Sequence, residues 1–360
     1  MKSPLHELHE ELGATFTTFS GYEMPLKYTS IQDEHINVRK NVGIFDVSHM
    51  GNLFVRGKDA GKFISKMTAT DAGKIDVGMG AYTVVLRDDG TIIDDEVFLH
   101  INDDEYMFIP NAGRSGDAEK WFVEHADGMD VEVEDVSQKF VIIAVQGPLS
   151  GDLLREVVDF DLDALGFFAC SELESEEGRF IVSRTGYTGE KGYEFYVTPT
   201  GEGERVFREI LEKGERHGIK AVGLGARDTL RLEKGFALAG NEFAGGRTPL
   251  EAGLGWLINW EHDFIGKEAL LRQKEGDYDR LVFLECMERG IPRHGHTVEK
   301  GGTEVGIVTS GTFSPCLKRG IAMAYVRPEY RNEDEFDIVS NGRKIGTKRV
   351  KPPFVKKGEC

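Results

Sequence analysis

Hydrophobic positions along the chain recur with a period near 3.6 in some stretches and near 2 in others, and the change of period divides it into elements. Ser30 and Asp33 make a capping-box pattern, so the spacing predicts a helix over 31–41 closed by Gly43. β-Branched and aromatic residues then run from Phe45 to Val55 around Gly51, which predicts one strand carrying a bulge or a close backbone approach. Helices are expected at 59–67, 117–125, 149–158 and 203–217, with strands between them at 81–86, 92–100, 105–109, 140–145 and 179–183. Hairpins mixed with helices read as α+β, not as a doubly wound parallel sheet. No Gly-x-Gly-x-x-Gly leads from a strand into a helix, and no Walker loop occurs.

The pattern changes after the polar stretch Glu275-Gly-Asp-Tyr-Asp279. Short strands are expected at 281–286, 304–309, 321–326, 335–340 and 344–350, with hairpin turns at Lys300-Gly-Gly-Thr303 and Asn341-Gly342. Their closure into a small barrel places a boundary near residue 278. The expected division is therefore a core over 1–275 and a C-terminal β-barrel over 279–360.

Composition narrows the classes. At 360 residues, with 40% hydrophobic and 29% charged positions, the chain reads as an ordinary globular protein of two or three compact units. The first ten residues hold no signal-peptide core and no run approaches a membrane span, so a cytoplasmic protein without a membrane partner is expected. Cys170, Cys286, Cys316 and Cys360 form no Cys-x-x-Cys pair, which argues against a disulfide framework, a zinc ribbon or a dithiol centre. The histidines lack metal-ligand spacing, so no metal is inferred, and His49 reads as a hydrogen-bonded turn residue. A formal charge of -18 disfavours nucleic acid as a partner. One strip runs the other way: Arg343, Lys344, Lys348, Arg349, Lys351, Lys356 and Lys357 stand together without an acid, as a solvated edge or as a dock for an acidic partner.

Candidate chemistry gathers at three places. In Ser183-Arg-Thr-Gly-Tyr-Thr-Gly-Glu-Lys-Gly-Tyr-Glu194, glycines at 186, 189 and 192 allow a turn or a close approach to a ligand, and Tyr187 and Glu194 stand among them. The stretch after Gly223 and Gly225 reads as a helix with Arg227, Arg231 and Lys234 along one face, suited to an anionic ligand tail or to a structural ion pair. On the strand after the Asp88-Asp89-Gly90 turn, Asp95 shares a face with Ile93, Val97 and Leu99, whereas Asp94 shares the other with Glu96 and is expected in water. A carboxylate in an apolar row suffers desolvation and marks either a site or a local backbone cap. Asn111, at the end of the next strand, serves a ligand ring or shapes the turn.

Several segments resemble the aminomethyltransferase family, the T-protein of the glycine cleavage system: Gly43-Ile-Phe-Asp-Val-Ser-His-Met-Gly51, Ile93-Asp-Asp95, Gln146-Gly-Pro148, Arg184-Thr-Gly-Tyr-Thr-Gly-Glu190, Gly223-Leu-Gly-Ala-Arg-Asp-Thr-Leu-Arg-Leu-Glu233, Thr248-Pro-Leu-Glu-Ala-Gly-Leu-Gly-Trp256 and Thr309-Ser-Gly-Thr-Phe-Ser-Pro315. The resemblance implies two interleaved α+β subdomains plus the C-terminal barrel, in a cloverleaf around a central folate channel. It implies transfer of a one-carbon unit from the aminomethyl-lipoyl arm of a carrier, the H-protein, to tetrahydrofolate, with ammonia released and 5,10-methylenetetrahydrofolate formed. By resemblance Asp95 is the catalytic carboxylate, and Met50, Tyr82, Asp95, Val97, Leu99, Asn111, Tyr187, Glu194, Arg227 and Trp256 contact the folate. A monomer, at most a weak dimer, is implied.

The chain departs from the family's pattern at Leu238-Ala239-Gly240-Asn241, and at Phe168, Phe236 and Arg114. Lost hydroxyls alter hydrogen bonding around the one-carbon donor, which keeps open a tetrahydrofolate-dependent demethylase of a small methylated amine or sulfonium compound. A noncatalytic folate-binding accessory protein for iron-sulfur clusters is a further alternative. Its relatives carry a cysteine in the segment matching Arg184 to Lys191, where this chain has none.

Overall fold

The computed structural model describes residues 1–173, 178–340 and 342–360, and these form two compact units. The first comprises Met1–Val85, Ile93–Arg227 and Glu261–Phe264, and the second Leu86–Ile92, Asp228–Trp260 and Ile265–Cys360.

Two larger sheets and the hairpin Thr15–Phe19 with Tyr22–Lys27 build the first unit. One runs Cys170–Leu173, Arg179–Ser183, Gly192–Thr198, Val141–Gln146, Val42–Asp46, Ile219–Ala221, antiparallel except for its last pair. The helix Thr200–Gly214 presents Val206, Phe207 and Ile210 to Ile44, Ile143, Val145 and Phe195 of this sheet, and burial of that apolar row holds the layers together. The other sheet has the order Gly80–Leu86, Ile92–Asn102, Glu105–Ile109, Leu53–Arg56, Glu132–Asp135. Phe63 and Phe122, from the helices Ala60–Met67 and Ser115–His125, meet edge to face, and Phe122 meets Phe108 of the sheet in the same way.

The expected strand over 45–55 is two strands in different sheets. Asp46 accepts from the Ser48 amide at 2.8 Å and the Gly51 amide donates to Pro110 at 2.8 Å, so 47–52 is a hydrogen-bonded turn carrying the chain between them. Ser30 caps the helix Ile31–Lys40 through the Asp33 amide as the sequence indicates, but Gly43 lies inside the next strand. The helix expected over 149–158 is shorter, Ser150–Leu154.

In the second unit, Arg280–Cys286, Arg319–Val326, Thr303–Ser314, Thr297–Lys300, Glu335–Ser340 and Arg343–Val350 close into a six-stranded barrel. Val282, Leu284, Val298, Val305, Val308, Ala324 and Ile338 fill it. Alternation of these residues with polar ones made the barrel legible, except for Thr297–Lys300, which contributes only Val298 to the interior. The Lys300 to Thr303 turn is present, with positive φ at Gly301 and Gly302, while Asn341 of the other expected turn lies outside the described residues. Cys316 and Cys360 form a disulfide, which the scattered cysteine spacing did not anticipate.

Candidate functional site

Three consecutive carboxyls, Asp94, Asp95 and Glu96, occupy the strand Ile92–Asn102. Its neighbour Glu105–Ile109 pairs Val97 with Ile109 and ends at Pro110, which brings Asn111 back over the acidic residues. The Tyr82 hydroxyl donates to Asp95 Oδ2 at 2.6 Å and Asn111 Nδ2 donates to Asp95 Oδ1 at 2.8 Å. Asp95 is half-buried, and each of its carboxylate oxygens receives one of these donors.

Asp94 and Glu96 are not in water. They are 0% and 1% exposed, because this strand is covered on both faces and alternation alone cannot say which face is dry. Asp94 Oδ2 accepts from the Asn111 amide and Oδ1 from Asn111 Nδ2, both at 2.9 Å. Burial, and then the neighbouring Asp95, push the Asp94 carboxyl up to about 7. Both Glu96 oxygens lack a hydrogen-bond partner, and burial with the charges of Asp94 and Asp95 raises this carboxyl well above its usual range. Burial without a donor therefore favours the protonated form of Glu96.

Of the two uses expected for these glycines, a turn and a close approach, Gly189 takes the turn with φ 73°, and Gly186 and Gly192 take a close approach to a side chain of the protein and not to a ligand. A Cβ on Gly186 or Gly192 would lie 2.0 or 2.3 Å from the Gln146 side chain, so these glycines make room for that amide. Gln146 in turn bonds the Thr185 carbonyl and the Thr188 hydroxyl. Arg39 braces the far side through the Thr188 carbonyl at 2.6 Å and Glu190 at 2.9 Å. The turn therefore holds Glu194, which accepts from the Thr185 hydroxyl, and Tyr187, whose ring lies 4.8 Å beneath the Arg227 guanidinium.

The cationic helix face of 227, 231 and 234 divides by role. Arg231 is buried on Asp228 and Glu242 and bonds Ser310, and Lys234 donates to the Val355 carbonyl, so both are structural. The Arg227 guanidinium makes no hydrogen bond or ion pair among the described residues. Desolvation lowers its pKa, with Glu194 opposing the shift through its charge. A desolvated guanidinium lacking an anion is a receptor for one.

The structure thus joins Tyr82, Asp95 and Asn111 by hydrogen bonds, and Tyr187 and Arg227 by a cation–π contact. Val97 is half-buried and Leu99 fully buried on the same strand as Asp95. Met50 lines a cavity of about 310 Å³ with His49, Gly113 and Glu119. Trp256 belongs to the second unit and is 72% exposed. His49 is not the hydrogen-bonded turn residue expected: its Nδ1 has no partner, Phe19 meets its ring edge-on, and burial with the Arg227 charge takes its pKa down to about 3. Sequence reasoning passed over Arg39 and Thr185, which hold the turn and Glu194, and misplaced Asp94. Nothing local in the sequence points to Arg39, whose partners lie about 150 residues away.

Together these groups offer carboxylates at 95 and 194, an aromatic face at 187 and a cation at 227. Such a set suits a flat, donor-rich heterocycle that carries an anionic tail. Residues 5–262 match the model of the GCVT N-terminal domain, and residues 280–356 match that of the glycine cleavage T-protein C-terminal barrel domain. The aminomethyltransferase of Pseudothermotoga lettingae is 42% identical over 354 residues, covering 98% of this chain and 97% of its own. That of Halothermothrix orenii is 41% identical over 357 residues, covering 98% and 99%. The crystal structure of glycine cleavage system aminomethyltransferase T from Bartonella henselae superposes with a TM-score of 0.93 at 31% identity, covering 99% of this chain and 98% of that one.

Proposed function

The chain belongs to the glycine cleavage T-protein family, whose full-length relatives are aminomethyltransferases, and on that footing we propose that Asp95 is the catalytic carboxylate of a folate-dependent one-carbon transfer. The enzyme is an aminomethyltransferase of the glycine cleavage system. The one-carbon unit comes from the aminomethyl-lipoyl arm of the H-protein and passes to tetrahydrofolate, with ammonia released and 5,10-methylenetetrahydrofolate formed. A cytoplasmic setting is consistent with this system, and no helix among the described residues is long and apolar enough to cross a membrane.

The residues fit the cosubstrate. Arg227 is desolvated and carries no anion of its own, which suits the glutamate carboxylates of a folate. Glu194 is half-buried and is held on one oxygen by Thr185 and Tyr196, a placement suited to reading an amidine-like edge. Tetrahydrofolate supplies the nitrogen nucleophiles when bound. Asp95 enters with its orientation set by two donors, so it can hold a proton or oppose developing positive charge without first reorganising. Tyr82, whose ionisation is suppressed by burial and by Asp95, stays a donor throughout.

The half-exposed Asp95 carboxylate, held by Tyr82 and Asn111 in a fold matched end to end, supports this reading most directly. The test supplies tetrahydrofolate with either the aminomethyl-lipoyl H-protein or small methylated amines, and follows ammonia and the folate product. Ammonia release with the carrier alone, lost by about a hundredfold or more in kcat in Asp95→Ala, is the expected outcome. Methyl-folate formed from a small amine, or an Asp95→Ala enzyme of wild-type rate, would overturn it.

A further inference from the structure

Asn111 presents an amide whose orientation is dictated by its neighbours. Its Nδ2 lies 2.9 Å from Asp94 Oδ1, 2.7 Å from the Asp95 carbonyl and 2.8 Å from Asp95 Oδ1. All three are acceptors, so only the NH2 end can face them, and the usual ambiguity between the ends of an amide does not arise. Its Oδ1 accepts from no donor among the described residues. The side chain is half-buried, so an acceptor is left for a ligand N–H or O–H.

Asp94 is what completes this arrangement. It is wholly buried, and each of its oxygens receives one donor of Asn111, the backbone N–H and the side-chain NH2. Pro110, which precedes Asn111, cannot donate from its nitrogen, so Asp94 meets Asn111 alone at the strand's end. Asp94 touches neither Tyr82 nor any open face of the site in its hydrogen bonds. Its hydrogen bonds reach Asp95 only through Asn111, and its charge acts on the adjacent Asp95 directly.

We infer that Asp94 is a positioning residue of the transfer reaction: it clamps Asn111 so that one end of the amide aims Asp95 and the other presents an acceptor to the bound cosubstrate. The inference rests on Asp95 being the acting carboxylate. A carboxylate at 94 is required because only an acceptor on both oxygens satisfies both Asn111 donors. When Asp94 is protonated, one of its oxygens becomes a donor facing an N–H, and the clamp loosens. The charged and titratable groups around it are Asp95 and Glu96 on its own strand, Tyr82 on the adjacent strand and Arg114 before the helix Ser115–His125. Protonation of Asp94, favoured by its burial and by the charge of Asp95, therefore shapes the acid limb of turnover.

The test compares wild type, Asp94→Asn, Asp95→Asn and the double variant, using ammonia release from the aminomethyl-lipoyl H-protein with tetrahydrofolate. Thermal melting is recorded for each. Asparagine at 94 keeps the shape and sets an NH2 where an acceptor must stand. The expected result is a fall in kcat of about tenfold or more, a displaced acid limb, and little further loss when the change is added to Asp95→Asn. Unchanged kcat and pH profile would overturn the inference, as would a loss that multiplies with that of Asp95→Asn or that tracks the melting temperature. Should Asp94→Asn not fold, Asn111→Ala at the half-buried end of the link gives the same readout: it must reproduce the kcat loss and the displaced limb, and a wild-type profile refutes the clamp. An Asp95→Asn enzyme of normal rate removes the functional reading and the inference together, whereas an inactive Asp95→Asn beside a normal Asp94→Asn removes the inference alone.

Discussion

Adjacent carboxyls on one strand differ here by surroundings and not by type. Asp95 is held by Tyr82 and Asn111 and is half-buried, Asp94 is held by Asn111 and fully buried, and Glu96 is fully buried with no donor among the described residues. The neutral form of Glu96 is therefore the one the fold accepts, and linkage gives the sign. A carboxyl raised in the folded state binds its proton more tightly there than in the unfolded chain. Stability is thus highest below the unfolded pKa of about 4 and falls as pH rises toward the folded value. Glu96→Gln removes that dependence while keeping volume. Urea unfolding of the two proteins should give similar stabilities near about pH 4 and a growing advantage for the variant toward about pH 8. A constant difference across that range would mean that Glu96 is not held neutral. Alternation with Ile93 and Val97 singles out Asp95 as the desolvated acid, but Asp95 is only half-buried and the dry carboxyls are its neighbours Asp94 and Glu96. The dryness of Asp94 was not legible, because the second face of the sheet is covered by residues distant in sequence.

Elements were legible where their own periodicity decides them, as in Ile31–Lys40 and the hairpins of the barrel, and illegible where a partner decides them. The C-terminal tail is the clearest case. Residues after Val350 have no regular structure, yet Phe354 and Val355 are buried, the Val355 amide donates to the Glu233 carbonyl, and Cys360 closes on Cys316 across 44 residues. The Glu233 carboxylate also accepts from the Ser314 hydroxyl and the Cys316 amide, so one residue holds both ends of the closed loop, the tail by its backbone carbonyl and the Cys316 end by its side chain. Cysteine spacing cannot reveal a pair formed this way. Closing a loop of this size restricts the unfolded chain by about 4 kcal/mol in the chain-entropy treatment, an upper value if the reduced tail stays docked. Cys316→Ser, or reduction by a dithiol, is expected to lower the denaturation midpoint without lowering kcat for ammonia release. An unaltered midpoint would show that packing of Phe354 and Val355 alone secures the tail.

Across the whole molecule the formal charge is -18, and the basic strip near the C-terminus is the exception to it. Folding reduces that strip. Lys344 pairs with Glu299 and Lys348 lies 3.7 Å from Glu285, while Arg343 and Arg349 donate to backbone carbonyls of Arg289 and Arg331. Lys351, Lys356 and Lys357 make no ion pair among the described residues, and the docked tail fixes where they stand. Unpaired cations on an acidic protein act mainly on encounter, because repulsion from the remaining surface would otherwise slow an acidic macromolecule. If the lipoylated carrier approaches over this tail, Lys356→Glu with Lys357→Glu should raise the carrier KM by about threefold to tenfold at low ionic strength and leave kcat at saturating carrier unchanged. The difference should shrink as salt shortens the screening length to about 8 Å near physiological ionic strength. The KM for tetrahydrofolate should not move, since neither lysine belongs to the Asp95 cluster. A carrier KM equal to that of the wild type at low salt would remove the tail as the approach, without touching the chemistry at Asp95.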